Sequence, residues 1–217
     1  MLRRPRLVTT ESSLPHPGDR PARTVAGVIL AAGQSTRLGQ PKQLLPLNGR
    51  PLLQHVVSAA CDSALDEVVV VVGALLEELR AVLHLGRARL VVNTRYADGQ
   101  STSLHRGLEV LDDDSEGVLF LLGDQPGVTS ALVDRLVARY RAGDAAIVAP
   151  RFLDGLGNPV LFDRALWPEL RQLSGDTGAR EILRARRADV REVAVAAPRL
   201  PDVDTWDDYV EAQRGGS

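Results

Sequence analysis

The stretch Ala31-Ala32-Gly33-Gln34-Ser35-Thr36-Arg37-Leu38-Gly39-Gln40-Pro41-Lys42 follows an apolar segment and combines two glycines with two fixed cations. Gly33 and Gly39 let backbone N–H groups come close to an anion, Arg37 offers a planar fork, and Lys42 a compact point charge. That chemistry suits phosphate. The spacing matches neither a P-loop, which needs Gly-Lys-Ser/Thr in succession, nor the G-x-G-x-x-G dinucleotide fingerprint. Lys42 is also the only lysine among 26 basic residues, all the others being arginine. In a chain that otherwise uses arginine throughout, this points to a position that needs a compact ammonium and where a guanidinium does not fit.

A carboxylate stands just past a second apolar segment, in Leu119-Phe120-Leu121-Leu122-Gly123-Asp124-Gln125-Pro126. Asp124 is a candidate ligand for a hard divalent cation such as Mg²⁺, which takes one or two carboxylates together with phosphate oxygens and water. The competing reading is a cap on the turn before Pro126. Other chemistries find little support: His16, His55, His84 and His105 lack metal-ligand spacing, no G-x-S-x-G elbow occurs, and Cys61 sits in an apolar helical context. Asp112-Asp113-Asp114 lacks the Gly and Glu positions of a calcium loop and reads as a solvated helix end. Ser174-Gly175-Asp176-Thr177-Gly178-Ala179-Arg180 is either a contact in the cleft or a plain helix N-terminus capped by Asp176 or Thr177.

The elements that must position these groups alternate. Apolar runs of strand length cover 25–31, 66–73, 89–93, 117–123 and 145–150, and amphipathic stretches of helical period cover 52–60, 75–85, 101–111 and 132–140. Strand and helix in turn give right-handed βαβ units, so the fold class is α/β: a single Rossmann-like domain with an open, mainly parallel sheet and helices on both faces. Ligands in such a sheet sit beyond the carboxyl ends of the strands, which is where the first loop and Asp124 fall. After Pro150 the rhythm loosens, with Gly-rich turns at 155–159 and 174–178, a strand-like 191–195 and a final helix from Thr205.

With 217 residues, 44% hydrophobic and 25% charged, the chain has the size and composition of one globular domain, expected over 25–213. Residues 1–24, with four prolines and no continuous apolar segment, read as a disordered leader, and 214–217 as a tail. A formal net charge of −2 argues against nucleic acid or a membrane surface as partner, and no apolar run approaches the roughly 18 residues that would span a bilayer. One cysteine excludes a disulfide framework or a thiolate metal cage and fits a cytoplasmic location.

The motif Leu30-Ala31-Ala32-Gly33-x-Ser35-x-Arg37-x-Gly39-x-Pro41-Lys42-x-Leu44-Leu45, with Leu122-Gly123-Asp124-Gln125-Pro126, resembles the MobA-like nucleotidyltransferases, most closely the molybdenum cofactor cytidylyltransferases. Asn93-x-x-Tyr96-x-x-Gly99-x-x-x-Ser103-Leu104 is similar to the family's middle motif, and Val203-Asp204-Thr205-x-x-Asp208-Tyr209 to its closing segment. The resemblance implies a nucleotide resting on Leu30, Ala31, Ala32 and Gly33 and reaching Asn93, Gly99 and Ser103. It implies phosphates held by Arg37 and Lys42, and Mg²⁺ on Asp124 with Asp204 as a second ligand. The alternative for Asp204 is that its segment is only a capping box at Thr205-Trp206-Asp207-Asp208.

Relatives that use GTP commonly read Ala-Gly-Gly at Ala31-Ala32-Gly33, so the resemblance favours CTP. The implied reaction carries CMP to the phosphate of a molybdopterin-type cofactor, catalysed by Arg37, Lys42 and Asp124. A molybdenum oxidoreductase or its maturation factor would receive the product. GTP or another small phosphate acceptor is the alternative among enzymes, and a non-catalytic cofactor carrier the alternative outside them. Two departures stand out: Gly157-Asn158-Pro159 where many relatives have Gly-His-Pro, and Trp206 in place of a usual proline.

Overall fold

A computed structural model describes residues 23–215. The chain enters on β1 (Val25–Ala31), whose first five residues are fully buried, and turns through the small hairpin β2 (Pro46–Leu47) and β3 (Arg50–Pro51) into α1 (Leu52–Cys61). Next come β4 (Glu67–Val72), α2 (Leu76–Val82), β5 (Arg89–Val92), α3 (Gln100–Glu109), β6 (Gly117–Leu122) and α4 (Ser130–Arg141). The five consecutive valines of β4 suit a strand covered on both faces, because β-branched side chains pack well on a pleated surface and lose little freedom there. At α4, Thr129 caps the N-terminus by accepting from Leu132 N at 3.2 Å.

The remaining elements are β7 (Ile147–Phe152), β8 (Gly155–Leu156), β9 (Val160–Asp163), α5 (Trp167–Leu170), α6 (Arg180–Ala185), β10 (Val190–Ala194) and α7 (Trp206–Gly215). The main sheet runs β10-β7-β9-β6-β1-β4-β5, with β8 added beside β7. β6, β1, β4 and β5 are parallel neighbours, and β7 is parallel to β10. The expected mainly parallel sheet is present, but the 145–150 run does not adjoin the other four. β9 lies between β6 and β7, antiparallel to both. Only residues 153–159 separate β7 from β9, too few for the dozen-residue crossover that a parallel return needs, so the chain must double back.

Helices cover both faces. α1, α2 and α4 pack with Val25, Ile29 and Val70 in one core, and α3, α5 and α6 with Val28, Val69 and Phe120 in the other. A third, smaller cluster of Leu38, Leu45, Leu52, Val203 and Tyr209 ties the loop after β1 to the segment before α7. Arg23 and Thr24, expected in the leader, belong to the domain. Arg23 pairs with Asp163 and lies over the Tyr140 ring, while the Thr24 carbonyl accepts from Gly117 N at 3.0 Å. Residues 1–22, the rest of that leader, lie outside the described residues, and α7 runs past the expected boundary at 213 to Gly215. Among the described residues no helix is long and apolar enough to cross a membrane.

Candidate active site

The loop after β1 is braced from inside. Gln43, almost fully buried, donates from Nε2 to the carbonyls of Ala31 at 3.0 Å and Gly33 at 2.9 Å. Ser35 accepts from Lys42 N at 3.1 Å through its Oγ, which folds the loop's two ends together. Across from it, Gly123 N donates to Leu30 O at 3.0 Å. A Cβ on Gly123 would meet Ala31 Cβ, Leu30 O and Leu53 Cδ1 at 3.0–3.1 Å, so glycine is what lets the end of β6 lie this close to β1. Asp124 is thereby set beside Lys42.

The closing segment completes the site. Val203 N donates to Asp124 O at 2.9 Å, and burial of Val203 in the third cluster holds the segment down. Asp204 then faces Asp124 across a single ammonium: Lys42 Nζ lies 2.6 Å from Asp124 Oδ2 and 2.7 Å from Asp204 Oδ1. Arg37 holds the other oxygen of Asp204 at 2.8 Å. Burial alone would lower the Lys42 pKa, but attraction and hydrogen bonds from Asp124 and Asp204 outweigh it and hold the ammonium above its ordinary value. For Asp204 burial works against ionisation, yet Lys42 and Arg37 keep the carboxylate below its usual range.

Geometry bears on three readings that the sequence left open. Asp124 accepts from no backbone N–H, so it does not cap the turn. Thr205 and Asp208 do form a capping box, Thr205 N donating to Asp208 Oδ2 at 2.8 Å and Asp208 N to Thr205 Oγ1 at 3.2 Å. That box leaves the Asp204 carboxylate to the site. The stretch 174–180 makes no side-chain cap on α6, and its residues 176–180 line the cleft.

The cleft has a volume of about 1030 Å³. Leu30, Ala31, Ala32 and Gly33 line it, as do Arg37, Lys42, Asp124 and Asp204. Gly99 and Ser103 line the same space from the start of α3. Asn93 is the exception: it is buried behind the wall, donating from Nδ2 to Thr102 Oγ1 and Ser103 Oγ, both at 2.9 Å, and so orients the first turn of α3.

Sequence reasoning missed Asp202, which lines the cleft and accepts from Gln125 Nε2 at 2.7 Å. Burial and repulsion from Asp124 raise its pKa. A signal existed: in an extended Asp202-Val203-Asp204, period two puts both carboxylates on the face opposite the buried valine. The brace Gln43 gave no comparable sign.

Asp124 Oδ1 is buried without a hydrogen-bond partner, which is costly for a charged oxygen unless a cation is supplied. Among the described residues no group of three or more His, Cys, Asp or Glu side chains is arranged to hold a metal ion. Two convergent carboxylates fit a hard divalent ion that takes its remaining ligands from phosphate and water.

The model of the MobA-like NTP transferase domain matches residues 27–193. The chain is 35% identical over 176 residues to nicotine blue oxidoreductase of Paenarthrobacter nicotinovorans, covering 78% of this chain and 86% of that one. It is 32% identical over 201 residues to the purine catabolism protein PucB of Bacillus subtilis, covering 88% and 97%. Among solved structures, Rv0371c of Mycobacterium tuberculosis superposes with a TM-score of 0.81 at 34% identity, over 89% of this chain and all of that one. The same protein has been solved as a complex with manganese, with a TM-score of 0.77, 32% identity and the same coverage. On the family match and these relatives, the chain belongs to the MobA-like NTP transferase family and is a nucleotidyltransferase.

Proposed function

We propose that the protein transfers a cytidylyl group from CTP to the phosphate monoester of a molybdopterin-type cofactor, forming a dinucleotide and releasing pyrophosphate. The observation that carries this reading is the meeting of Arg37, Lys42, Asp124 and Asp204 in a cleft large enough for a nucleotide and a second substrate. The acceptor phosphate is ionised at neutral pH and needs no general base. It attacks the α-phosphorus in line, one P–O bond forming as the bond to pyrophosphate breaks.

The chain's part is to position and to neutralise. The backbone of Ala31, Ala32 and Gly33 seats the nucleotide, Arg37 and Lys42 meet the negative charge of its phosphates, and Asp124 and Asp204 hold the divalent cation. That cation, Mg²⁺ or the Mn²⁺ that the Rv0371c complex contains, supplies charge neutralisation at the phosphoryl oxygens. Asn93 acts indirectly, by fixing Ser103 and the turn that bears it. In the same cleft, Arg180 and Arg184 lie one turn apart on α6 and have no ion-pair partner among the described residues, which suits the anionic acceptor.

CTP is favoured over GTP by Ala32, whose side chain narrows the turn where a glycine would leave room for a purine. The oxidoreductase name belongs to the relative that carries it; here a lysine between two aspartates supports phosphate chemistry. The test incubates the protein with each nucleoside triphosphate, Mg²⁺ and molybdopterin while pyrophosphate is measured. CTP should give the highest kcat/KM. Equal or better use of GTP refutes the cytidylyl assignment, and no pyrophosphate with any triphosphate refutes the acceptor.

A further inference from the structure

Lys42 stands between the two carboxylates at 2.6 and 2.7 Å, with only 13% of its side chain exposed. Arg37 is bound to the far side of Asp204. Two carboxylates and two cations therefore balance with no other ligand present. We propose that Lys42 is a tethered counter-ion that closes the carboxylate pair to free divalent cations and passes to the nucleotide's phosphates only when cation and nucleotide bind together. The inference rests on the nucleotidyl-transfer reading above and adds an order to it.

Charge sets this order. A divalent cation entering alone must displace an ammonium from two charge-assisted hydrogen bonds, and it leaves Lys42 and Arg37 without partners in a partly buried cleft. A triphosphate entering alone meets cations whose hydrogen bonds are already used. Together the two ligands satisfy every charge, because the cation takes over the carboxylates as the freed Lys42 and Arg37 turn to the phosphates. Each ligand removes the other's penalty, so their affinities are coupled, and reciprocally so. Lysine suits this task better than arginine. A compact ammonium turns its three donors freely on a four-carbon stem and fits between two close carboxylates, whereas a guanidinium is larger and presents its donors in a fixed plane. This gives the single lysine of the chain a reason to be lysine.

The test measures Mn²⁺ binding to the nucleotide-free full chain by electron paramagnetic resonance of the free ion. Lys42→Met should bind Mn²⁺ about tenfold or more tightly than wild type, since the competing charge is gone. Lys42→Gln, which keeps hydrogen-bonding ability without charge, should shift the same way and guards against a folding defect in the first variant. Wild-type or weaker Mn²⁺ affinity in both overturns the proposal. Asp124→Asn separates the two readings: if it binds Mn²⁺ as wild type does, the carboxylates are not the metal site and the underlying mechanism fails. If it loses Mn²⁺ while the Lys42 variants stay at wild-type affinity, only the counter-ion role fails. A second arm uses CTP in EDTA, where Asp204→Asn, by loosening its hold on Lys42 and Arg37, should strengthen metal-free CTP binding. Weaker or equal binding there contradicts the exchange.

Discussion

Gly99→Ala tests how the far wall of the cleft is held. Gly99 has φ +113°, and a Cβ built on it would fall inside the Gly175 carbonyl group and 2.8 Å from Asp176 N. The backbone of the 174–178 turn crosses the start of α3 with no room for a methyl group, and Ser101 N donates to Gly175 O at 3.1 Å as part of the same contact. Three costs follow. An L residue at this φ is strained by about 1–2 kcal/mol. Displacing packed backbone costs about 1–3 kcal/mol. Losing the Ser101 hydrogen bond costs about 1 kcal/mol. A total near 4 kcal/mol should lower Tm by about 10 °C in a domain of this size, read by circular dichroism. Because the turn carries the wall with Asp176 and leads into Arg180, acceptor KM should rise as well. Gly178→Ala is the control: its Cβ meets the tip of the flexible Gln100 side chain at 2.5 Å, a clash that rotation relieves at about 1 kcal/mol or less. A Gly99→Ala Tm within about 2 °C of wild type refutes the close-approach argument.

Gly33→Ala reverses that pattern, since nothing lies within 4 Å of its Cβ position: Tm should hold while CTP binding, followed by calorimetry, weakens at least severalfold, and unchanged binding refutes the seating of the nucleotide there. Asp202→Asn should raise Tm at pH 7. Burial and repulsion from Asp124 hold the folded-state pKa of Asp202 above its ordinary value, so the folded state favours the protonated acid and stability is lost as pH rises through that range. The gain should therefore shrink as the pH is taken down toward 4, and a gain independent of pH refutes the charge explanation. Arg180→Gln combined with Arg184→Gln should raise acceptor KM about tenfold while CTP KM stays within about twofold; a rise in CTP KM instead places α6 on the donor side.

What was legible in the sequence was local. A wholly apolar strand followed by glycines and a cation needs no tertiary information, and neither does a carboxylate just past the end of β6, so Arg37, Lys42 and Asp124 could be read directly. The Thr205 to Asp208 spacing gave the capping box for the same reason. The position of β9 was not local. Val-Leu-Phe-Asp is a short apolar run with no period of its own, and its place between β6 and β7 is set by how few residues connect it to β7. Asn93 shows a different limit. Its motif spacing is the same whether it touches a ligand or braces the helix that does, and only the hydrogen bonds to Thr102 and Ser103 distinguish the two.

The cluster at the strand ends is held together against its own charges. Asp124, Asp202 and Asp204 bring three carboxylates to one side of the cleft, and Lys42 and Arg37 supply two cations on the same side, so with all three acids ionised that side carries one uncompensated negative charge. Burial raises the pKa of Asp202, and repulsion from Asp124 adds to it, while its side-chain donor is the neutral Gln125. Repulsion alone would drive the closing segment off. What offsets it, beside the ion pairs of Asp204 with Lys42 and Arg37, lies away from the charges: Val203 and Tyr209 are buried against Leu38, Leu45 and Leu52, each worth about 1.5–3 kcal/mol when fully removed from water, and the Thr205–Asp208 box fixes the start of α7. Apolar packing thus holds an electrostatically strained arrangement in place. A divalent cation and a nucleotide arriving together would meet both sets of charges at once, the cation at the carboxylates and the phosphates at the freed Lys42 and Arg37.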